Sequence, residues 1–414
     1  MIYKHQPNSK SPFPIPKPLA PFFALLLLAF PAYAQTPAAA PELVSHAAVV
    51  MDAATGTNVF TKNPDEQIPP ASMTKLMTAH LALNEVMAGR ACLEEIIMPP
   101  RESWAINQPR YSSLMGLAPG QRVSLRELLL GMATFSGNDA STAIALRFAP
   151  SETAFVEMMN MEAAAMGLTR TRFVDASGFS RYNMTTPREM AVFSRSYIAA
   201  HPESLANFHS VMEFAYPLAE HVAEPFVNNP RTRTQRNRNT LLGRVEGVDG
   251  IKTGFIPESG FNISLSAERC GTRFIIVVMG APSDWGGDRI RDEDGRRLLE
   301  WAFQHFKTIR LNIDTPEPAR IWKGRDNYVG VAFNAPLEFT SLAVRGEQLR
   351  WQIHYEEPLL APLRAGSHVG TLVLFDSLGE LRRIPLVTAG EIERGGLFKR
   401  FFDSIRLFFL SLFR

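Results

Sequence analysis

"ASMTK", residues 71–75, runs directly into "LMTAHLAL", residues 76–83, and the reading of this junction decides the fold. The spacing of Met73, Leu76, Met77 and Leu81 predicts a helix from Met73 to Met87, apolar around most of its circumference and therefore buried. Pro69 and Pro70 punctuate the chain just upstream, which leaves Ser72 at the first turn. Lys75 follows one turn on, where the positive end of the helix dipole and an apolar setting both disfavour a cation. Such a lysine is tolerated when it is uncharged. An uncharged amine beside a serine hydroxyl is a general base beside a nucleophile.

The surrounding chain bounds what that pair can serve. Its 414 residues are 46% hydrophobic, enough for at least two domains with cores of their own. A formal net charge of +2 supplies no global basic field, so no nucleic-acid partner is expected. Cys92 and Cys270 are too few for a disulfide framework and lack metal-site spacing, and whether they pair stays open. The nine histidines are scattered without ligand spacing. Neither HExxH, G-x-S-x-G, GxGxxG nor a phosphate loop occurs, so no metal or cofactor is expected.

Residues 1–34 read as a secretory signal. Lys4, His5, Lys10 and Lys17 precede the apolar run "PFFALLLLAF" (21–30), and "AYA" (32–34) offers small residues for cleavage after Ala34. The mature protein is expected outside the cytoplasm, where its chemistry cannot draw on ATP or cytosolic redox cofactors.

Beyond the leader, strand patterns at 46–60 and from 247 to 280 flank helical ones, including "VSLRELLLGM" (123–132), where Ser124 and Glu127 form a capping-box signature. In "FNISLSA" (261–267), Phe261, Ile263 and Leu265 alternate with Asn262, Ser264 and Ser266. "RRLLEWAFQHF" (296–306) adds an amphipathic helix. Residues 42–308 are therefore expected to form one mixed α/β domain. Short alternating runs such as "LRWQIHY" and "HVGTLVLF" then predict a small all-β domain over 309–393. The tail, 396–414, is amphipathic. Phe398, Phe401, Phe402, Ile405, Phe408, Phe409 and Leu412 share one helical face, while Lys399, Arg400, Asp403, Ser404, Arg406 and Ser411 share the other. That pattern suits a helix lying in a membrane interface rather than a span.

Three short motifs carry the chemistry: Ser72-Met73-Thr74-Lys75, Ser136-Gly137-Asn138 and Lys252-Thr253-Gly254. Each alone is weak, but their joint occurrence in this order is far rarer by chance. Ser72 is the expected nucleophile and Lys75, with its pKa lowered by burial and a second cation, the base. Ser136 and Asn138, on a loop across the cleft, are expected to relay a proton and hold substrate amide. Lys252 supplies the second cation, and Gly254 lets substrate backbone pass close. The backbone N–H groups of Ser72 and Phe255 are the expected oxyanion donors.

S-x-x-K, S-x-N and K-T-G in this order resemble the low-molecular-mass penicillin-binding proteins of the D-alanyl-D-alanine carboxypeptidase family. "SSLMGLAPGQRVSLRELLLGMATFSGNDA", "NRNTLLGRVEGVDGIKTG" and "GRRLLEWAF" extend the likeness over roughly 42–393. The resemblance implies a penicillin-binding transpeptidase/β-lactamase-like domain, the β domain after it, and an amphipathic anchor on the outer face of the cytoplasmic membrane in the periplasm. It implies removal of the terminal D-alanine from peptidoglycan stem peptides, with β-lactams acylating the same serine. It places Arg291 at the carboxylate-binding position with Thr253 as partner, and Arg238 at another arginine near the site. Phe255 and Ile256 depart from the polar residues the family often carries after K-T-G. A β-lactamase is disfavoured because no E-x-x-L-N motif lies between Asn138 and Lys252. A DD-endopeptidase shares all three motifs, and a non-catalytic wall-binding scaffold would not need them intact.

Overall fold

A computed structural model of the chain describes residues 39–222 and 231–412. The signal-peptide reading of 1–34 lies outside the described residues. Residues 39–308 form one compact unit, and the described residues from 309 onward form another.

In the first unit the two ends of the segment build one antiparallel sheet. Its order is Asn58–Lys62, Ala47–Asp52, Thr272–Ala281, Gly260–Arg269 and Val248–Ile256, which places the K-T-G strand at an edge. Side chains alternate between two cores. Val49, Met51, Ile275 and Val277 face the cluster filled by helices α1 (Lys75–Met87), α2 (Leu125–Thr134), α3 (Asn138–Phe148), α4 (Glu152–Ala165) and α5 (Pro187–Ala200). Val50, Phe274, Ile276 and Val278 face Leu298, Leu299 and Ala302 of α6 (Gly287–His305). With both faces covered, the strands Ala47–Asp52 and Thr272–Ala281 are apolar along most of their length.

Two local details differ from expectation. The chain enters its first helix through a 3-10 turn, Ala71–Thr74, and α-helical geometry begins only at Lys75. Ala71 has φ 49°, a left-handed value that tightens the turn, and no side chain caps it. Ser72 is therefore free of a capping role. The polar residues alternating through 261–267 are buried rather than solvated. Ser264 bonds Ser194 of α5 at 2.8 Å, and the Asn262 amide donates to the Pro69 carbonyl at 3.3 Å and accepts from the Gly280 N–H at 2.8 Å. The bond to Pro69 ties the sheet to the segment that carries Ser72. The capping box of α2 is present: the Glu127 N–H donates to Ser124 Oγ at 3.2 Å, and the Ser124 N–H donates to the Glu127 carboxylate at 2.8 Å.

The second unit is all-β, with a four-stranded antiparallel sheet in the order Val331–Phe333, Gly379–Thr388, His368–Asp376 and Arg350–Tyr355. Leu372, Leu374, Ile384 and Leu386 are central to its core. Helix α7 (Leu397–Leu412) follows, and it is oriented against ordinary amphipathic logic. Its Asp403 is buried and accepts from the Lys323 N–H at 2.7 Å, whereas Phe398, Phe401, Phe402, Phe408 and Phe409 are all exposed. Among the described residues no helix is long and apolar enough to cross a membrane. Cys92 and Cys270 are exposed and unpaired.

Candidate active site

Ser72 is the second residue of the 3-10 turn and is half-buried. Lys75, one turn on, is 1% exposed. Its Nζ lies 3.0 Å from Ser72 Oγ, 2.7 Å from Asn138 Oδ1 and 2.6 Å from the Ser177 carbonyl. Two of these neighbours can only accept a hydrogen bond; the serine hydroxyl can also donate. A neutral amine has two hydrogens and one lone pair. The hydrogens go to Asn138 and Ser177, so the lone pair is left for the Ser72 hydroxyl. The geometry thus directs the proton from serine to lysine.

The electrostatics agree. Burial, the largest cause, brings Lys75 down to about 7, and Arg238 pushes the same way against Asp175 and Asp139. Lys252 is held well below its usual value, first by burial and then by Lys75, Arg238 and Arg291. Arg238 thus joins Lys252, the cation that the sequence suggests, as a second positive group bearing on Lys75. Two adjacent buried amines cannot both keep a proton, so each disfavours the charge on the other.

Ser136 is buried in a left-handed conformation with φ 68°, and its Oγ has no hydrogen-bond partner among the described residues. Asn138 is not on a loop; it is the first residue of α3. Its Nδ2 donates to Ser112 Oγ at 3.2 Å while its Oδ1 receives Lys75. Lys252 Nζ donates to the Thr253 carbonyl at 3.1 Å. Gly254 is needed for close approach: a Cβ there would lie 2.5 Å from the Pro70 carbonyl oxygen and 3.2 Å from the Ser72 nitrogen. The K-T-G edge therefore abuts the nucleophile turn, which brings the Ser72 and Phe255 backbones to one place.

Several supporting residues carried no recognised sequence signal. Asp175 receives the N–H groups of Ser177 at 2.8 Å and Ser180 at 2.8 Å, curling the loop that presents the Ser177 carbonyl to Lys75. Asp139 receives those of Met115 at 2.8 Å and Gly116 at 2.7 Å, which holds the 112–117 loop against α3. The run "DASG" (175–178), an Asx-turn pattern, was the available clue for the first. There is no group of three or more His, Cys, Asp or Glu among the described residues that could hold a metal.

The family profile of D-alanyl-D-alanine carboxypeptidases, peptidase S11, matches residues 34–283, and that of the penicillin-binding protein 5 C-terminal domain matches 303–394. The chain belongs to the D-alanyl-D-alanine carboxypeptidase family. It is 33% identical over 381 residues to D-alanyl-D-alanine carboxypeptidase DacC of Escherichia coli K12, covering 90% of each chain. Penicillin-binding protein 5 from Haemophilus influenzae has a similar structure, with TM-score 0.73 and 26% identity over 86% of this chain and 99% of that one. Penicillin-binding protein D2 from Listeria monocytogenes, solved in a cefotaxime-bound form, matches 64% of this chain and 99% of its own, with TM-score 0.55 and 29% identity.

In this carboxypeptidase the two candidate arginines differ in setting. Arg291 is buried and pairs with Asp292 at 2.6 Å, with the Phe261 ring 5.9 Å from its guanidinium carbon. Asp292, its immediate neighbour on α6, holds the guanidinium in place. The Arg238 guanidinium lies over the Phe135 ring at 4.8 Å, which joins it to the chain just before Ser136. Phe255 stacks on Phe261 with ring centroids 4.2 Å apart, and Ile256 is buried.

Proposed function

We propose that the chain releases the terminal D-alanine of peptidoglycan stem peptides through an acyl-enzyme on Ser72. The Lys75 amine takes the Ser72 proton, and Oγ attacks the penultimate carbonyl. The oxyanion forms between the N–H groups of Ser72 and Phe255. Ser136 passes the proton to the departing amine, and D-alanine leaves. A water gives a proton to the Lys75 amine and adds to the ester carbon. The bond from that carbon to Oγ breaks, the shortened stem leaves as its carboxylate, and Ser72 regains the proton. The second hydrogen of Asn138 Nδ2 serves a substrate carbonyl, while Thr253, Arg291 and Arg238 serve the terminal carboxylate. β-Lactams would acylate the same oxygen. The observation that carries this reading is the trio of acceptors around Lys75, of which Ser72 alone can return a proton.

The test is a mass-spectrometric time course of protein 35–414 with a peptidoglycan pentapeptide. Loss of one alanine is expected; a pentapeptide left intact by protein that still binds penicillin would overturn the carboxypeptidase reading.

A pH profile tests the base. Because the Lys75 pKa is about 7, the amine is protonated and unable to accept below that pH and free above it. The second-order rate of penicillin acylation should fall about tenfold per unit as pH drops below 7 and flatten above it. A rate unchanged between pH 5.5 and 8.5 would remove Lys75 from the role of base.

We further propose that the protein is exported through its 1–34 leader and held at the outer face of the cytoplasmic membrane by α7. The support is the row of exposed phenylalanines beside Lys399, Arg400 and Arg406. Truncation after Arg394 should give soluble, fully active enzyme that no longer co-sediments with anionic vesicles. Equal co-sedimentation of both forms would refute the anchor.

A further inference from the structure

Beside the K-T-G strand lies a groove of about 450 Å³, lined by Phe261, Asp284, Trp285, Asp288 and Arg289 among others. Its walls are unusual. Trp285 is 95% exposed, and the Arg289 guanidinium lies over its ring at 5.7 Å. Phe261 forms the inner wall and stacks on Phe255, itself 41% exposed. Asp284, Asp288 and Arg289 make no ion pairs among the described residues, so both signs of charge stand free along one aromatic trough.

The direction of the substrate leads into this groove, an argument that rests on the function proposed above. Thr253 and the nearby arginines mark the end that takes the terminal carboxylate. The Phe255 N–H marks the scissile carbonyl two residues later. An extended peptide on this sheet edge must then continue from Phe255 towards Ile256, past the Phe255–Phe261 pair. The side chain that reaches the groove belongs to the acyl part of the stem.

We propose that this groove binds the side chain of the stem's diamino acid, in the form that ends in both an ammonium and a carboxylate. The methylenes lie between the Trp285 and Phe261 rings, Asp284 and Asp288 receive the ammonium, and Arg289 receives the carboxylate. This groove makes the enzyme selective for the third residue of the stem, a property that the catalytic trio does not set.

Three soluble pentapeptides test it, with meso-diaminopimelate, lysine or norleucine at position three, each assayed with the full chain. The wild type should prefer them in that order, spanning about tenfold or more in kcat/KM and residing in KM. Asp284→Asn with Asp288→Asn should erase the advantage of both amines over norleucine. Arg289→Gln should reduce diaminopimelate to the level of lysine. Penicillin acylation should stay within about twofold in all variants, which shows that they are folded and that the machinery is intact. Equal use of the three peptides by the wild type, or variants that keep its order of preference, overturns the groove and leaves the carboxypeptidase standing. Release of alanine from none of them by the wild type overturns both.

Discussion

Ser72→Ala should abolish penicillin labelling and alanine release, a loss of about 10⁴-fold or more, while leaving the melting temperature within about 2 °C of wild type. The two halves of this expectation have separate causes. The loss follows because the acyl-enzyme has no other oxygen at the end of the Lys75 lone pair: Asn138 Oδ1 and the Ser177 carbonyl, its remaining neighbours, are not nucleophiles. The unchanged stability follows because Ser72 caps nothing and, among the described residues, its side chain bonds Lys75 alone, which keeps two acceptors after the change. Labelling that persists at full stoichiometry would move the nucleophile elsewhere, with Ser136 the next oxygen to examine.

Gly178→Ala, outside the three motifs, should lower both stability and activity. Gly178 has φ 77°, and a Cβ there would sit 1.8 Å from the Ala71 carbonyl oxygen and 2.9 Å from the Thr74 Cβ. Left-handed strain costs about 1 kcal/mol and overpacking against backbone about 1–3 kcal/mol more. The loop must retreat, and it takes with it the neighbouring Ser177 carbonyl that orients Lys75. We expect a fall of several degrees in melting temperature together with an acylation rate lower by about 10²-fold. Gly167→Ala is the control. It has φ 74° but nothing within 4 Å of the added carbon, so it carries the strain without the collision. If the two variants acylate at the same rate, the contact with Ala71 does not position the nucleophile.

Much of this enzyme was legible along the chain because its informative contacts are local. Ser72 and Lys75 lie one turn apart, Ser124 and Glu127 close a capping box within four residues, and the phenylalanines of α7 repeat at helical spacing. Periodicity likewise separates the mixed α/β unit from the β unit that follows it. Where the reading faltered, the deciding partner was far away in sequence. Asn262 alternates as an outward-facing residue would, yet it bonds Pro69 across 193 positions. Asp403 belongs to a polar helical face, yet it is the one described residue of that helix to be buried, where it accepts from the Lys323 N–H.

The amino-acid sequence by itself determined the nucleophile motif, the order of the three catalytic segments and the two-domain plan, since each rests on residue type and short spacing. The tertiary structure alone decided that Arg238 bears on Lys75, which atoms take its two hydrogens, and which groove lies beside Phe261. These depend on burial and on angles between segments more than 60 residues apart, as Lys75 and Asn138 are. A pattern confined to neighbours along the chain carries no record of either.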